Sequence, residues 1–181
     1  MAGYDESEIE KLIDGKLPWG RVQEIMKDAK DPDRIEKWVG ILQRRVPWKE
    51  RILLPLTPCL FIVQKGRDRI VKCRCGQEFG DYRANWKLEA LIYVRESAES
   101  LKAIYRGSEQ PDPTWVQIRE YSCPGCGVQL EVEAVPRGCP PDFNFLPDLD
   151  TFYRDWLERP LPDELEFADK TLDVVRSWPE G

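Results

Sequence analysis

A chain of 181 residues, 41% apolar and 33% charged, has enough material for a hydrophobic core and the make-up of a globular protein. Its net charge of −6 is uneven, because residues 142–181 hold 11 acidic and 4 basic side chains while the rest is near neutral. The lack of a concentrated basic patch argues against nucleic acid as the main partner, and the lack of any histidine excludes Ser-His-Asp and Cys-His catalysis and imidazole-ligated metal sites.

The opening stretch, MAGYDESEIEKL, has neither the basic start nor the apolar run of a secretory signal. No apolar run reaches the about 18 residues a membrane span requires, so a cytoplasmic protein without membrane contact is expected. Helical spacing dominates first. Asp5 to Glu8 precede Ile9, Leu12 and Ile13, with Gly15 as the stop; Pro18 opens a second segment carrying Val22, Ile25 and Met26. Asp31 is the expected cap of a third, with Pro32 in its first turn, Ile35, Trp38, Val39 and Leu42 on one face, and Pro47 at its end.

From residue 51 the pattern turns to strands. Ile52 to Leu54 and Leu60 to Val63 are short apolar runs broken by Pro55 and Pro58; Gln64 to Asp68 reads as a hairpin turn, and Ile70-Val71 lead into Cys73. Leu88, Ala90, Ile92 and Val94 alternate as in a half-buried strand, and Ser97 to Tyr105 reads as a short helix with Leu101 and Ile104 inward. Alternation resumes from Trp115 to Tyr121 and again from Val128 to Ala134. Asp148 is placed to cap a helix bearing Phe152, Trp156 and Leu157, and a last helix is expected around Leu172 to Val175. The organisation expected is α+β: an N-terminal helical arm (1–50), a zinc-ribbon-like β-rich centre (51–136), and a C-terminal loop, helix and acidic tail (137–181).

The chemistry lies in the cysteines. Cys73-Arg74-Cys75-Gly76 and Cys123-Pro124-Gly125-Cys126-Gly127 each follow an expected strand, and each second cysteine precedes a glycine. In a metal knuckle the backbone turns tightly so that amides point at thiolates, and glycine permits the turn. Two knuckles brought together supply four thiolates to one tetrahedral ion, so Cys73, Cys75, Cys123 and Cys126 are the expected metal ligands. Structural zinc is the first reading, a rubredoxin-like iron the second, and disulfides or unligated thiols the third. Four thiolates leave no open position, so a catalytic zinc is not expected. Cys59 reads as a core thiol and Cys139 as a loop thiol.

Seven tryptophans divide between core filling beneath loops and anchors for a partner. Arg44-Arg45 and the Lys65–Arg69 turn have acids nearby and read as solvated faces rather than phosphate sites, and no glycine-rich phosphate loop or distinctive carboxylate pair is present. No catalytic or cofactor-binding residue is assigned. A free-standing zinc-ribbon interaction module fits these features.

Several separate stretches nevertheless resemble the acetone carboxylase gamma subunit family. They are Asp31-Pro32-Asp33-Arg34 through Pro47-Trp48, Ile52 to Leu56, Leu60 to Gln64, Asn85-Trp86-Lys87-Leu88, and Ile118-Arg119-Glu120-Tyr121, in order along about residues 7–157. The resemblance implies a small non-catalytic subunit of a cytoplasmic, ATP-dependent complex that converts acetone and bicarbonate to acetoacetate. It implies large α and β partner subunits in a hetero-hexamer, with ATP, magnesium and manganese on those partners. Zinc would be on this chain, at Cys73, Cys75, Cys123 and Cys126. The stretch from Arg159 to Gly181 is longer and more acidic than the family pattern, which leaves the ketone open, an acetophenone-type complex being the alternative.

Overall fold

The computed structural model describes residues 3–28, 31–107 and 109–178. Three helices come first: α1 (Glu6–Ile13), α2 (Trp19–Lys27) and α3 (Arg34–Arg44). Gly15, with φ 65°, supplies the left-handed residue that ends α1, as its position suggests. The start of α3 differs from expectation. The helix begins at Arg34, and Asp31 accepts from the Tyr4 amide (3.0 Å) and the Lys37 ammonium (3.1 Å) instead of capping it. Asp31 therefore pins the start of the chain onto α3. Ile41 and Leu42 are the buried residues of α3, whereas Trp38 is exposed, so the inward face is rotated from the one the spacing suggested.

Two antiparallel sheets follow. The first has the order β1-β2-β3-β4, from β1 (Arg51–Thr57), β2 (Leu60–Lys65), β3 (Asp68–Cys73) and β4 (Glu78–Asp81). Strands β2 and β3 pair without interruption from Leu60↔Cys73 to Lys65↔Asp68, and Gly66 (φ 62°) makes their two-residue turn. The unbroken apolar run of β2 has a simple cause, since both faces of the strand are covered. Phe61 and Val63 pack with Leu42, Ile52 and Ile70 beneath the helices, while Leu60 and Ile62 join Leu53, Val71 and Phe79 in the main core. Pro55 is accommodated because β1 is an edge strand whose register shifts on either side of it.

The second sheet has the order β5-β6-β7, from β5 (Leu91–Arg95), β6 (Val116–Ser122) and β7 (Gln129–Pro136). Here the reading of Leu88 to Val94 as a half-buried strand is corrected. Residues Trp86–Glu89 form a 3₁₀ turn capped by the Asn85 side chain, which accepts from the Lys87 amide at 3.1 Å. The strand starts only at Leu91 and is exposed on both faces. Alternation reports the strand period but not whether a layer covers it. After β5, α4 (Ala98–Lys102) opens on a reciprocal Ser97–Ser100 capping box; it buries Leu101 but stops before Ile104, which is exposed.

The C-terminal part begins with α5 (Leu149–Thr151), which runs into a π-type turn at Phe152–Trp156. Asp148 caps it as expected, accepting from the Thr151 amide at 3.1 Å. The Tyr153 hydroxyl donates to the Leu53 carbonyl at 2.8 Å, serving a residue that the shifted β1–β2 register skips. Arg69, expected on a solvated turn, is instead buried, and its guanidinium grips both Asp150 oxygens at 2.6 and 2.7 Å. It also donates to the Asp163 carbonyl, and Asp150 accepts from the Leu165 amide at 3.1 Å. Further on, the Lys170 amide donates to the Arg83 carbonyl (2.9 Å), and α6 (Thr171–Arg176) starts where the Thr171 hydroxyl accepts from the Asn85 amide (3.0 Å). The acidic stretch is thereby tied to the body. The fold is α+β, and no described helix is long and apolar enough to cross a membrane.

Candidate metal centre

The two cysteine knuckles lie at the ends of strands from different sheets. Cys73 is the last residue of β3, and Cys123 follows the last residue of β6. In the first knuckle the Cys73 amide donates to the Gln77 carbonyl (2.8 Å) and the Gly76 amide returns to the Cys73 carbonyl (2.9 Å). In the second, the Cys123 amide donates to the Val128 carbonyl (2.9 Å) and the Gly127 amide to the Cys123 carbonyl (2.8 Å). Gly76 and Gly127 have φ of 104° and 70°, values at which a side chain would be strained. The glycine after each second cysteine is thus a backbone requirement of the turn.

These turns bring together the four cysteines singled out by spacing. Their sulfurs all lie within 4.8 Å of one another. Cys73 Sγ is 3.9 Å from Cys126 Sγ, and Cys75 Sγ is 3.7 Å from Cys123 Sγ. A metal–thiolate bond of about 2.3 Å implies a tetrahedron with edges of about 3.8 Å, so the sulfurs stand where one four-coordinate ion would place them. The single-residue spacing of Cys73 and Cys75 is compatible with this, because β3 ends at Cys73 and Cys75 lies in the turn that the Gly76 amide closes onto the Cys73 carbonyl (2.9 Å).

The environment of the sulfurs is asymmetric. Cys73 and Cys123 are buried in the main core, while Cys75 and Cys126 face solvent. Burial pushes the Cys73 and Cys123 thiols up, and the Val128 amide brings the Cys126 thiol down. Such a pair of buried thiols favours either the neutral form or charge compensation by a cation. Cys59 is half-buried against the core and Cys139 is exposed, and neither belongs to the four-sulfur group.

Three supporting features were not read from the sequence. The Trp48 indole donates to the carbonyls of Cys73 and Arg74, each at 3.2 Å, holding the first knuckle against the end of the helical segment. Gly125 lets the second knuckle approach the first, since a Cβ there would stand 3.1 Å from Gln77 Cβ and 3.4 Å from Cys75 Sγ. Its place in a Cys-Pro-Gly-Cys turn was the available signal. Behind the second knuckle lies a buried polar network. The Lys87 ammonium is held by Glu131 (2.9 Å), Glu133 and the Asp142 carbonyl (2.9 Å), and Tyr121 Oη donates to Glu133 at 2.7 Å. Burial and the hydrogen bond to Glu133 push the Tyr121 phenol up to about 12. With each of its charges partnered, the network serves to seat the 3₁₀ turn on the second sheet.

Comparison with known proteins follows the same residues. The model of the family described as acetone carboxylase gamma subunit matches residues 46–157, a span that contains all four cysteines. The acetone carboxylase gamma subunit of Xanthobacter autotrophicus is 41% identical over 165 residues, 90% of this chain and 98% of that protein. The acetophenone carboxylase beta subunit of Aromatoleum aromaticum is 34% identical over 79 residues, 42% of this chain and 61% of that protein. On the family match and the near-full-length likeness, the chain belongs to the acetone carboxylase gamma subunit family.

Proposed function

We propose that the chain is the small, non-catalytic gamma subunit of an ATP-dependent ketone carboxylase, with structural zinc held by Cys73, Cys75, Cys123 and Cys126. The observation that carries the reading is the end-to-end likeness to an acetone carboxylase gamma subunit. The four-sulfur arrangement supports the metal part of it: an all-thiolate tetrahedron suits zinc and leaves no position for water or substrate. The zinc joins a strand end of each sheet, so its binding free energy adds to the stability of the packed pair. In a zinc-ribbon-like centre of this kind, the cation also compensates the charge of the buried thiolates.

Large α and β subunits, in a cytoplasmic hetero-hexamer, carry the nucleotide chemistry with magnesium and the catalytic manganese, and this chain acts by assembling with them. Acetone and bicarbonate are the proposed substrates, with acetoacetate as the product. The acetophenone carboxylase likeness supports a second ketone, although it spans less than half of the chain. The test is to tag this chain in its native host, identify what co-purifies by mass, measure metal content and assay ketone-dependent bicarbonate fixation. Two larger subunits, one zinc per chain and activity with acetone are expected. A chain that emerges alone, or a red iron-containing protein, overturns the corresponding part of the reading.

A further inference from the structure

Helices α1 and α3 and the turn between β1 and β2 wall a cavity of about 700 Å³. Its lining is mostly apolar, with Ile9 and Leu12 from α1, Trp38 from α3, Leu56 from β1 and Phe61 from β2. Ion pairs hold α1 in place as one of the walls: Arg45 reaches Glu10 and Asp14, each at 2.7 Å, and Arg44 reaches Glu6. This size, and an apolar lining interrupted by a few polar groups, are those of a small-molecule site.

The charges on its wall have one sign. Arg34, Arg45 and Arg74 line the cavity, and no carboxylate side chain among the described residues does. Arg45 is committed to the two acids of α1, whereas Arg34 is not so engaged. Its Nε and Nη2 are closed off from solvent and meet no hydrogen-bond acceptor among the described residues, and its guanidinium lies against the Tyr4 ring, 5.1 Å from the centroid. The acids of the preceding loop, Asp31 and Asp33, are taken by Lys37 at 3.1 and 2.8 Å. Nε and Nη2 form one edge of the guanidinium fork, an edge that a carboxylate engages with both oxygens. Buried donors left unpaired carry a desolvation cost that such a ligand removes.

We propose that this cavity binds a small organic carboxylate with an apolar body, of the fatty-acid type. Its carboxylate pairs with the Arg34 edge, and its body lies against Leu12, Trp38 and Phe61. On entry the guanidinium turns from beneath Tyr4 to present its two free donors. Charge complementarity selects the anion, because a neutral chain of equal length leaves those donors unpaired. The apolar wall selects the body, because a carboxylate without one leaves that wall uncovered. Walls on three sides suit a molecule held within the cavity rather than a polypeptide laid across it. The inference stands apart from the subunit reading above.

The test titrates octanoate calorimetrically into the full chain and into the material that co-purifies with it from its native host, with octanol and acetate as comparisons. Saturable octanoate binding is expected in both samples, with octanol at least about tenfold weaker and acetate weaker still. Nuclear Overhauser contacts from the octanoate methyl group to Leu12 and Phe61 in the free chain should place the ligand. Arg34→Met should weaken octanoate by about tenfold or more and leave octanol unchanged. Arg154→Gln, an exposed arginine outside the cavity, should change neither. Leu12→Trp, which fills the cavity, should weaken both. Each variant is checked for the thermal midpoint of the parent chain, and Arg34→Lys, which keeps the charge without the fork, replaces Arg34→Met if that variant does not fold. Absence of octanoate binding, octanol that binds as tightly as octanoate, or undiminished octanoate binding by a folded Arg34 variant overturns the proposal. So does octanoate that binds the free chain but not the co-purified material, because a segment of a partner would then be the occupant.

Discussion

Replacing Asp150 by alanine tests the claim that a buried ion pair holds the C-terminal stretch to the first sheet. The pair is well enclosed, with side-chain exposures of 1% for Arg69 and 11% for Asp150, and both carboxylate oxygens are engaged. The substitution leaves the guanidinium buried without its counter-charge and removes the acceptor for the Leu165 amide. Removing one partner of such a pair costs about 3–5 kcal/mol. At about 2–4 °C per kcal/mol for a chain of this size, the thermal midpoint should fall by about 6–20 °C. Circular dichroism measures the fall, and limited proteolysis should show earlier cleavage near residues 160–170. Asp155→Ala, which breaks an exposed contact with Arg154, should change little. The Arg69→Met/Asp150→Leu double variant should recover much of the loss, because it removes the stranded charge.

The same pair has a pH signature. Burial alone would raise the Asp150 carboxyl, but Arg69 and the Leu165 amide outweigh it and hold the group below its ordinary value. A carboxylate lowered in the folded state contributes stability that is present above its unfolded pKa, about 3.9, and lost as pH falls through the folded value. The parent chain should therefore lose stability below about pH 4 more steeply than Asp150→Asn, which lacks that titration. An Asp150→Ala variant with an unchanged midpoint, or an Asp150→Asn variant with the same acid slope, would refute the reasoning.

Other perturbations address the knuckles and the core. Cys123→Ser should lower bound metal, measured by elemental analysis, and lower the unfolding midpoint; retention of both would remove the structural-metal assignment. Gly125→Ala should cost about 1–3 kcal/mol in denaturant unfolding and weaken metal retention against a chelator, since its Cβ meets Gln77 and Cys75. Gly20→Ala, in α2 with no atom within 4 Å of the new Cβ, is the contrasting case and should leave stability unchanged or raise it by up to about 1 kcal/mol. Tyr153→Phe should cost about 1–3 kcal/mol by leaving the buried Leu53 carbonyl without its donor. A loss well under that range would mean that the β1 irregularity closes without help.

The features legible along the chain are local ones. Glycines after Cys75 and Cys126, Gly66 in its hairpin and Asp148 before α5 each state a turn or cap that their own backbone or side chain enforces, and the structure contains them. The cysteine spacing likewise named the four sulfurs that converge, because each knuckle is a short-range object. Their meeting is different: it joins residues 48 and 53 positions apart, and only the packing of two sheets, with Gly125 allowing the approach, decides it. Tertiary structure also decided the fate of the charges. Arg69 and Lys87 look like solvated residues along the chain, yet they are buried because Asp150, Glu131 and Glu133 arrive from distant elements to pair with them. The converse holds for β5, whose apolar alternation resembles that of a covered strand. Periodicity is a property of one strand, whereas burial depends on which other layers reach it, and among the described residues no layer buries Leu91 to Val94.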